Sequence, residues 1–134
     1  MSAQKTTLTE MLAQAEAEIE TLSVAEAQAL LGQDGITFVD IRDVRELQRD
    51  GVVPGAFHAP RGMLEFWIAE DSPYTKDVFQ TGDKFVFFCA GGLRSALAAQ
   101  VAQNLGLTVA HVEGGYGAWK KAGAPTAEKP AKKG

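Results

Sequence analysis

A single cysteine, Cys89, cannot close an internal disulfide, so nothing in the chain demands an oxidising compartment. The two histidines, His58 and His111, lie far from each other and from Cys89 without the spacing of a metal-ligand set. No stretch approaches the roughly 18 apolar residues of a membrane span, and residues 1–5 lead into a polar helical pattern instead of an apolar leader. Neither sign of charge dominates. The 13 Lys and Arg against 17 Asp and Glu leave a net charge of −4, which argues against a nucleic-acid or anionic-membrane surface. The expectation is a cytoplasmic protein with no metal site, and its second glycine loop, Gly114-Gly115-Tyr116-Gly117, lacks the framing of a dinucleotide fingerprint. Its 134 residues suffice for one domain with a real core, and no internal repeat is visible.

Helical signals come first. Thr7-x-x-Glu10 has the form of a capping box, and Leu8, Met11, Leu12, Ala15, Ile19 and Leu22 recur at helical spacing opposite a face of Glu and Gln. This amphipathic helix can dock on its own domain or on a second copy of the chain, giving a homodimer. Ser23-x-x-Glu26 opens a short helix through Leu31, and residues 36–41 read as a strand. Asp43-x-x-Glu46 caps another helix, with Gly51 beyond its end. Pro54-Gly55 makes a turn before a short extended piece. Residues 63–69 and 71–79 suggest two further short helices. Residues 84–89 form the strongest strand pattern, followed by a helix over 96–105 with Leu97, Val101 and Leu105 on one face. Residues 108–112 read as a last strand, 113–117 as a glycine loop and 118–122 as a short helix. Residues 126–134 hold almost no apolar side chains and read as a loose tail. Strands alternating with helices imply an α/β, three-layer arrangement, a mostly parallel sheet covered on both faces. The organisation expected is an N-terminal helical extension (1–22), the main domain (23–125) and the tail.

Ligands of such sheets bind beyond the carboxyl ends of the strands, and Cys89 lies at that end of the strand over 84–89. It opens the loop Ala90, Gly91, Gly92, Leu93, Arg94, Ser95 that leads into a helix. Glycines let consecutive N–H groups curl inward around an anion, and the helix dipole favours negative charge at the same point. A thiol there tends towards thiolate, the nucleophilic form. Arg94 opposes the helix dipole, which makes sense if its planar fork meets an anionic ligand over the loop.

Four segments together resemble the rhodanese family of sulfurtransferases in its single-domain form. They are Phe38-Val39-Asp40-Ile41-Arg42 with Glu46, Gly51-Val52-Val53-Pro54-Gly55-Ala56, the loop from Cys89 to Ser95, and Gly114-Gly115-Tyr116-Gly117-Ala118-Trp119 with Gly123-Ala124-Pro125. The resemblance covers residues 23–125 and departs from the family at Val52, where the family carries histidine. It implies a sheet of about five strands. It also implies that Cys89 takes the outer sulfur of a donor such as thiosulfate and passes it to cyanide, a small thiol or a protein acceptor, with no metal or organic cofactor. The persulfide would rest among the N–H groups from Gly91 to Ser95, with Arg94 on the departing sulfite. Arg61 and residues 63–67 resemble a subgroup pattern that could put a second cation and an apolar wall near the pocket.

Two rivals remain. A cysteine phosphatase or arsenate reductase shares the cysteine, amide loop and arginine, but spaces Cys from Arg by five residues; here four intervene. A sulfur-carrier or protein-interaction module would keep the persulfide without much turnover. Cys–His protease chemistry finds no support, since His58 and His111 read as structural or surface residues. Trp67 and Trp119 read as core anchors.

Overall fold

The computed structural model describes residues 5–129. Five parallel strands form one sheet in the order β1-β5-β4-β2-β3: β1 is Glu20–Leu22, β2 Ile36–Asp40, β3 Phe57–His58, β4 Lys84–Phe88 and β5 Thr108–Val112. The helices are α1 (Leu8–Glu18), α2 (Val24–Leu30), α3 (Val44–Asp50), α4 (Leu64–Ile68), α5 (Leu93–Asn104) and α6 (Gly115–Lys121).

Strand alternation divides the core into two layers around the sheet. From β4, Phe85 and Phe87 face one side and pack with Ala15 and Ile19 of the α1 segment, Leu64 and Ile68 of α4, and the alanines of α5. Val86 and Phe88 face the other, with Ala27 of α2 and Tyr116 and Trp119 of α6. Trp119 is anchored at both ends: its ring meets Phe38 edge-on at 5.9 Å and its Nε1–H donates to Pro125 O at 2.7 Å. The two predicted tryptophan anchors differ. Trp119 is buried, whereas Trp67 is half-buried beneath Lys76, whose Nζ lies 4.7 Å from the ring centroid.

Three capping predictions hold. Thr7 accepts from Glu10 N–H, and full capping boxes form at Ser23/Glu26 and Asp43/Glu46. Several boundaries move. The first helix ends at Glu18, and Glu20–Leu22 instead pairs with β5, so the extension supplies an edge strand of the sheet. Three residues are too short for a period of two to show against the helical spacing before them. The buried face of α5 is Ser95, Ala96, Ala98, Ala99 and Ala102; of the stripe Leu97, Val101 and Leu105, Leu97 is half-buried against the core, Val101 is half-buried and Leu105 is exposed. Small side chains let that helix lie close on the sheet. The helix expected over 63–69 is a 3-10 turn (Arg61–Met63) running into α4, and of the one over 71–79 only a 3-10 turn (Asp77–Gln80) forms. Helix α6 starts at Gly115, inside the expected glycine loop.

The start of the expected loose tail is tied down. Ala127 and Val52 exchange both backbone hydrogen bonds, at 2.8 and 2.9 Å. Val52, standing where the family has histidine, uses its main chain there. The rest of the tail, 130–134, falls outside the described residues. Among the described residues no helix is long and apolar enough to cross a membrane.

Candidate active site

Two helix N-termini converge on the segment after β4. From α6, Tyr116 N–H donates to Cys89 O at 2.7 Å and Gly117 N–H to Ala90 O at 3.0 Å. With its carbonyls held outward, the loop turns N–H groups toward the sulfur at the start of α5. Gly92 N–H reaches Cys89 Sγ at 3.1 Å and Ser95 N–H at 3.3 Å, with Ser95 Oγ at 3.5 Å. The turn requires Gly92, whose φ of 95° caps α5 in the left-handed region. The bowl is narrower than expected. Two amides and one hydroxyl contact the sulfur, rather than every N–H from Gly91 to Ser95.

Cys89 is only 1% exposed, yet its surroundings are donors on one side and the apolar layer on the other. Ala90, Gly91, Leu93 and Arg94 are exposed around it, and nothing lies within 4 Å of where a Cβ on Gly91 would be. These exposed residues surround the buried Gly92, Cys89 and Ser95. A surface hollow of about 590 Å³ between α3, α6 and the tail does not include the sulfur.

Arg94 is not the lone cation its sequence position suggested. Its two terminal nitrogens bind the carboxylate of Glu46 at 2.9 and 2.8 Å. Glu46 also accepts from Asp43 N–H as the N3 residue of the α3 capping box. The arginine's hydrogen bonds, foremost, hold this carboxyl down at about 2. Pairing with Glu46, and with it the nearby Cys89 charge, raises Arg94 above its ordinary value. A cation placed against the α5 dipole is thus offset by a carboxylate 48 residues earlier. Arg61 bonds its guanidinium to Glu65 at 2.8 Å and its N–H to Ile41 O at 3.2 Å, so it sits at the same end of the sheet but makes no hydrogen bond to the loop.

Behind the site, Asp40 and Arg42 form a buried ion pair at 2.7 Å, both at most 2% exposed. Arg42 also donates to Gly51 O at 2.8 Å and lies over the Tyr116 ring at 4.0 Å. The pair clamps the end of β2 to the start of α6, the helix that holds the loop carbonyls.

The histidines separate. His58 Nε2 bonds to Arg42 O at 2.7 Å, a structural contact. His111, expected to be structural or at the surface, is buried on the same face as Phe87 and Cys89, with Nδ1 3.0 Å from Ser95 Oγ. Its Nε2 lies 3.1 Å from Thr21 Oγ1 and 3.4 Å from Glu16. The available signal was phase. In β5, His111 alternates with Ala110 and Val112 and so shares the face of Val109.

Comparison with known proteins adds the following. The model of the Rhodanese-like domain matches residues 23–122. A structure from Rhodopseudomonas palustris, described as a protein of unknown function and possible tyrosine phosphatase, is 54% identical, superimposes with a TM-score of 0.89 and covers 95% of this chain and 98% of that one. Human thiosulfate:glutathione sulfurtransferase is 33% identical over 74% of this chain and 91% of its own length. The mouse thiosulfate sulfurtransferase/rhodanese-like domain-containing protein 3 is 28% identical over 70% of this chain, and the match spans 64% of the mouse protein.

Proposed function

The chain belongs to the rhodanese-like domain family, and from that premise we propose that it transfers sulfane sulfur through a persulfide on Cys89. Cys89 thiolate attacks the outer sulfur of thiosulfate. The new S–S bond forms as the bond to the sulfite sulfur breaks, sulfite leaves as a dianion, and the charge stays on the outer persulfide sulfur. Cyanide or a thiolate then takes that sulfur and returns Cys89 as thiolate. Electrons balance without a redox cofactor, in the manner of covalent catalysis through an activated nucleophile.

The observation that carries this reading is the set of donors gathered around Cys89 Sγ. Two amides and one hydroxyl meet Cys89 Sγ itself and favour the thiolate that attacks and the thiolate that is returned. Arg94 keeps enough exposure to meet sulfite oxygens, while Glu46 cancels its charge. Ala90, Gly91, Gly92 and Leu93 line the approach with little that reads a substrate. A small thiol such as glutathione, named in the human relative's activity, is the acceptor proposed. The reducing cytoplasm suits a free thiol of this kind.

Phosphate-ester hydrolysis is the second reading, favoured by the description of the Rhodopseudomonas relative. A phosphate dianion would need a wider ring of donors and an unpaired cation. The bidentate Glu46–Arg94 pair offsets the arginine's charge and takes up its fork, leaving single N–H groups for a sulfite oxygen but no bidentate grip on a phosphate. The deciding assay runs thiosulfate with cyanide beside an aryl phosphate. Thiocyanate formation that disappears in Cys89→Ser supports sulfur transfer; Cys89-dependent phosphate release without thiocyanate overturns it.

A further inference from the structure

A continuous polar line runs from the buried sulfur through the interior to the surface at α1 and β1. Cys89 Sγ lies 3.5 Å from Ser95 Oγ, that oxygen 3.0 Å from His111 Nδ1, and Nε2 3.1 Å from Thr21 Oγ1 and 3.4 Å from a Glu16 carboxylate oxygen. Thr21 Oγ1 is in turn 3.1 Å from the other Glu16 oxygen. Ser95 and His111 are 0% and 2% exposed. Polar groups held inside as Ser95 and His111 are become costly unless matched, and both are matched, through to Thr21 and Glu16 at the surface. Sulfur transfer as set out above leaves His111 without a part.

We infer that this line is a proton relay that ionises Cys89, with His111 a positioning residue acting through Ser95 and Glu16 its counter-charge. The inference rests on reading Cys89 as the nucleophile. The S–H bond of Cys89 breaks and sulfur keeps the electron pair. Its proton passes to Ser95 Oγ while the Ser95 hydroxyl proton moves to His111 Nδ1. Ser95 ends by donating to the sulfur anion and accepting from Nδ1–H, and the imidazolium directs Nε2–H at Thr21 and Glu16. No oxidant or reductant is involved.

The charges around His111 fit this use. Glu16 faces it from α1, Thr21 from β1, Ser95 from α5 and the apolar Phe87 from β4, with Glu113 following β5. Burial lowers its basicity first of all, and Glu16 and Glu113 oppose that. The ring is therefore neutral at neutral pH and able to accept a proton. Once the thiolate forms, negative charge stands at both ends of the line. Glu16 and Thr21 precede residue 23, where the family match begins. The N-terminal segment therefore completes the site from outside the shared domain.

The test exploits the lone thiol: with one cysteine, far-ultraviolet thiolate absorbance reports on Cys89 alone, with Cys89→Ser as baseline. Full-length wild type, His111→Asn and Glu16→Gln are titrated, and thermal melts are recorded beside them. The midpoint of the thiolate titration should rise by about one unit in His111→Asn and by about half a unit in Glu16→Gln, relative to wild type. Glu16 is half-exposed, so its variant stays interpretable if His111→Asn unfolds. Titration curves that match wild type in Glu16→Gln and in any folded His111→Asn overturn the relay. The titration needs no sulfur donor. A failed relay beside intact persulfide formation leaves sulfur transfer standing, and lost persulfide beside a shifted titration sinks only the latter.

Discussion

Replacing Gly115 with alanine tests how the loop is held. Gly115 has φ of 60°, and a Cβ there would collide with Cys89 O and come within 2.9 Å of the Ala90 carbonyl carbon and oxygen. Both obstacles are backbone, so no side chain can swing aside. The left-handed conformation costs a non-glycine residue about 1 kcal/mol or more, and forced backbone displacement adds about 1–3 kcal/mol. The expected loss of stability is therefore about 2–4 kcal/mol. Function should fall further. The clash pushes α6 away from the loop whose carbonyls Tyr116 and Gly117 hold, and misplacing a reacting atom by about 1 Å costs on the order of 10²-fold in rate. Urea denaturation followed by circular dichroism gives the first quantity, and thiocyanate formation gives the second. Gly91→Ala is the control for stability, because its backbone is ordinary and its Cβ would meet open space; it should unfold within about 0.5 kcal/mol of wild type. A Gly115→Ala protein with wild-type stability and turnover would refute the idea that α6 fixes the loop.

Three other expectations follow from the charged groups. The Glu46 carboxyl is lowered from 4.5 to about 2, chiefly by Arg94, so its stabilisation is complete above about pH 4.5 and disappears as pH falls through about 2. Screening at the half-exposed Arg94 discounts the contribution to about 1–2 kcal/mol; urea melts of Glu46→Gln should show that loss at neutral pH and a flatter acid limb, and an unchanged acid limb would contradict it. Asp40→Asn strands Arg42 in the interior and should cost about 3–5 kcal/mol by urea denaturation, whereas a loss under about 1 kcal/mol would deny the clamp. Arg94→Ala should raise KM for thiosulfate about tenfold, one good charge-assisted hydrogen bond's worth; a KM equal to wild type would remove Arg94 from the sulfite.

The site's skeleton was legible because its signals are local. The apolar run ending at Cys89, the glycines after it and the helix behind them sit within about twenty consecutive residues, and both capping boxes announced helix starts through spacing alone. What stayed hidden depends on pairs brought together by the fold. Arg94 meets Glu46 across 48 positions, and Ser95 meets His111 across 16. Sequence offers no register between β4 and β5, so His111 could be given a strand but not a neighbour. Glycine hid α6, since its intrinsic propensity argues against helix even where tertiary hydrogen bonds to Cys89 and Ala90 favour one. Val52 and Ala127 paired through main chain, which leaves no side-chain mark at all.

The central claim is that Cys89 carries transferable sulfur. Intact-protein mass spectrometry after exposure to thiosulfate measures it directly. The wild-type protein should gain the mass of one sulfur atom, lose it on adding cyanide, and show neither change in Cys89→Ser. An unchanged wild-type mass, or an added sulfur that persists in Cys89→Ser, would contradict it.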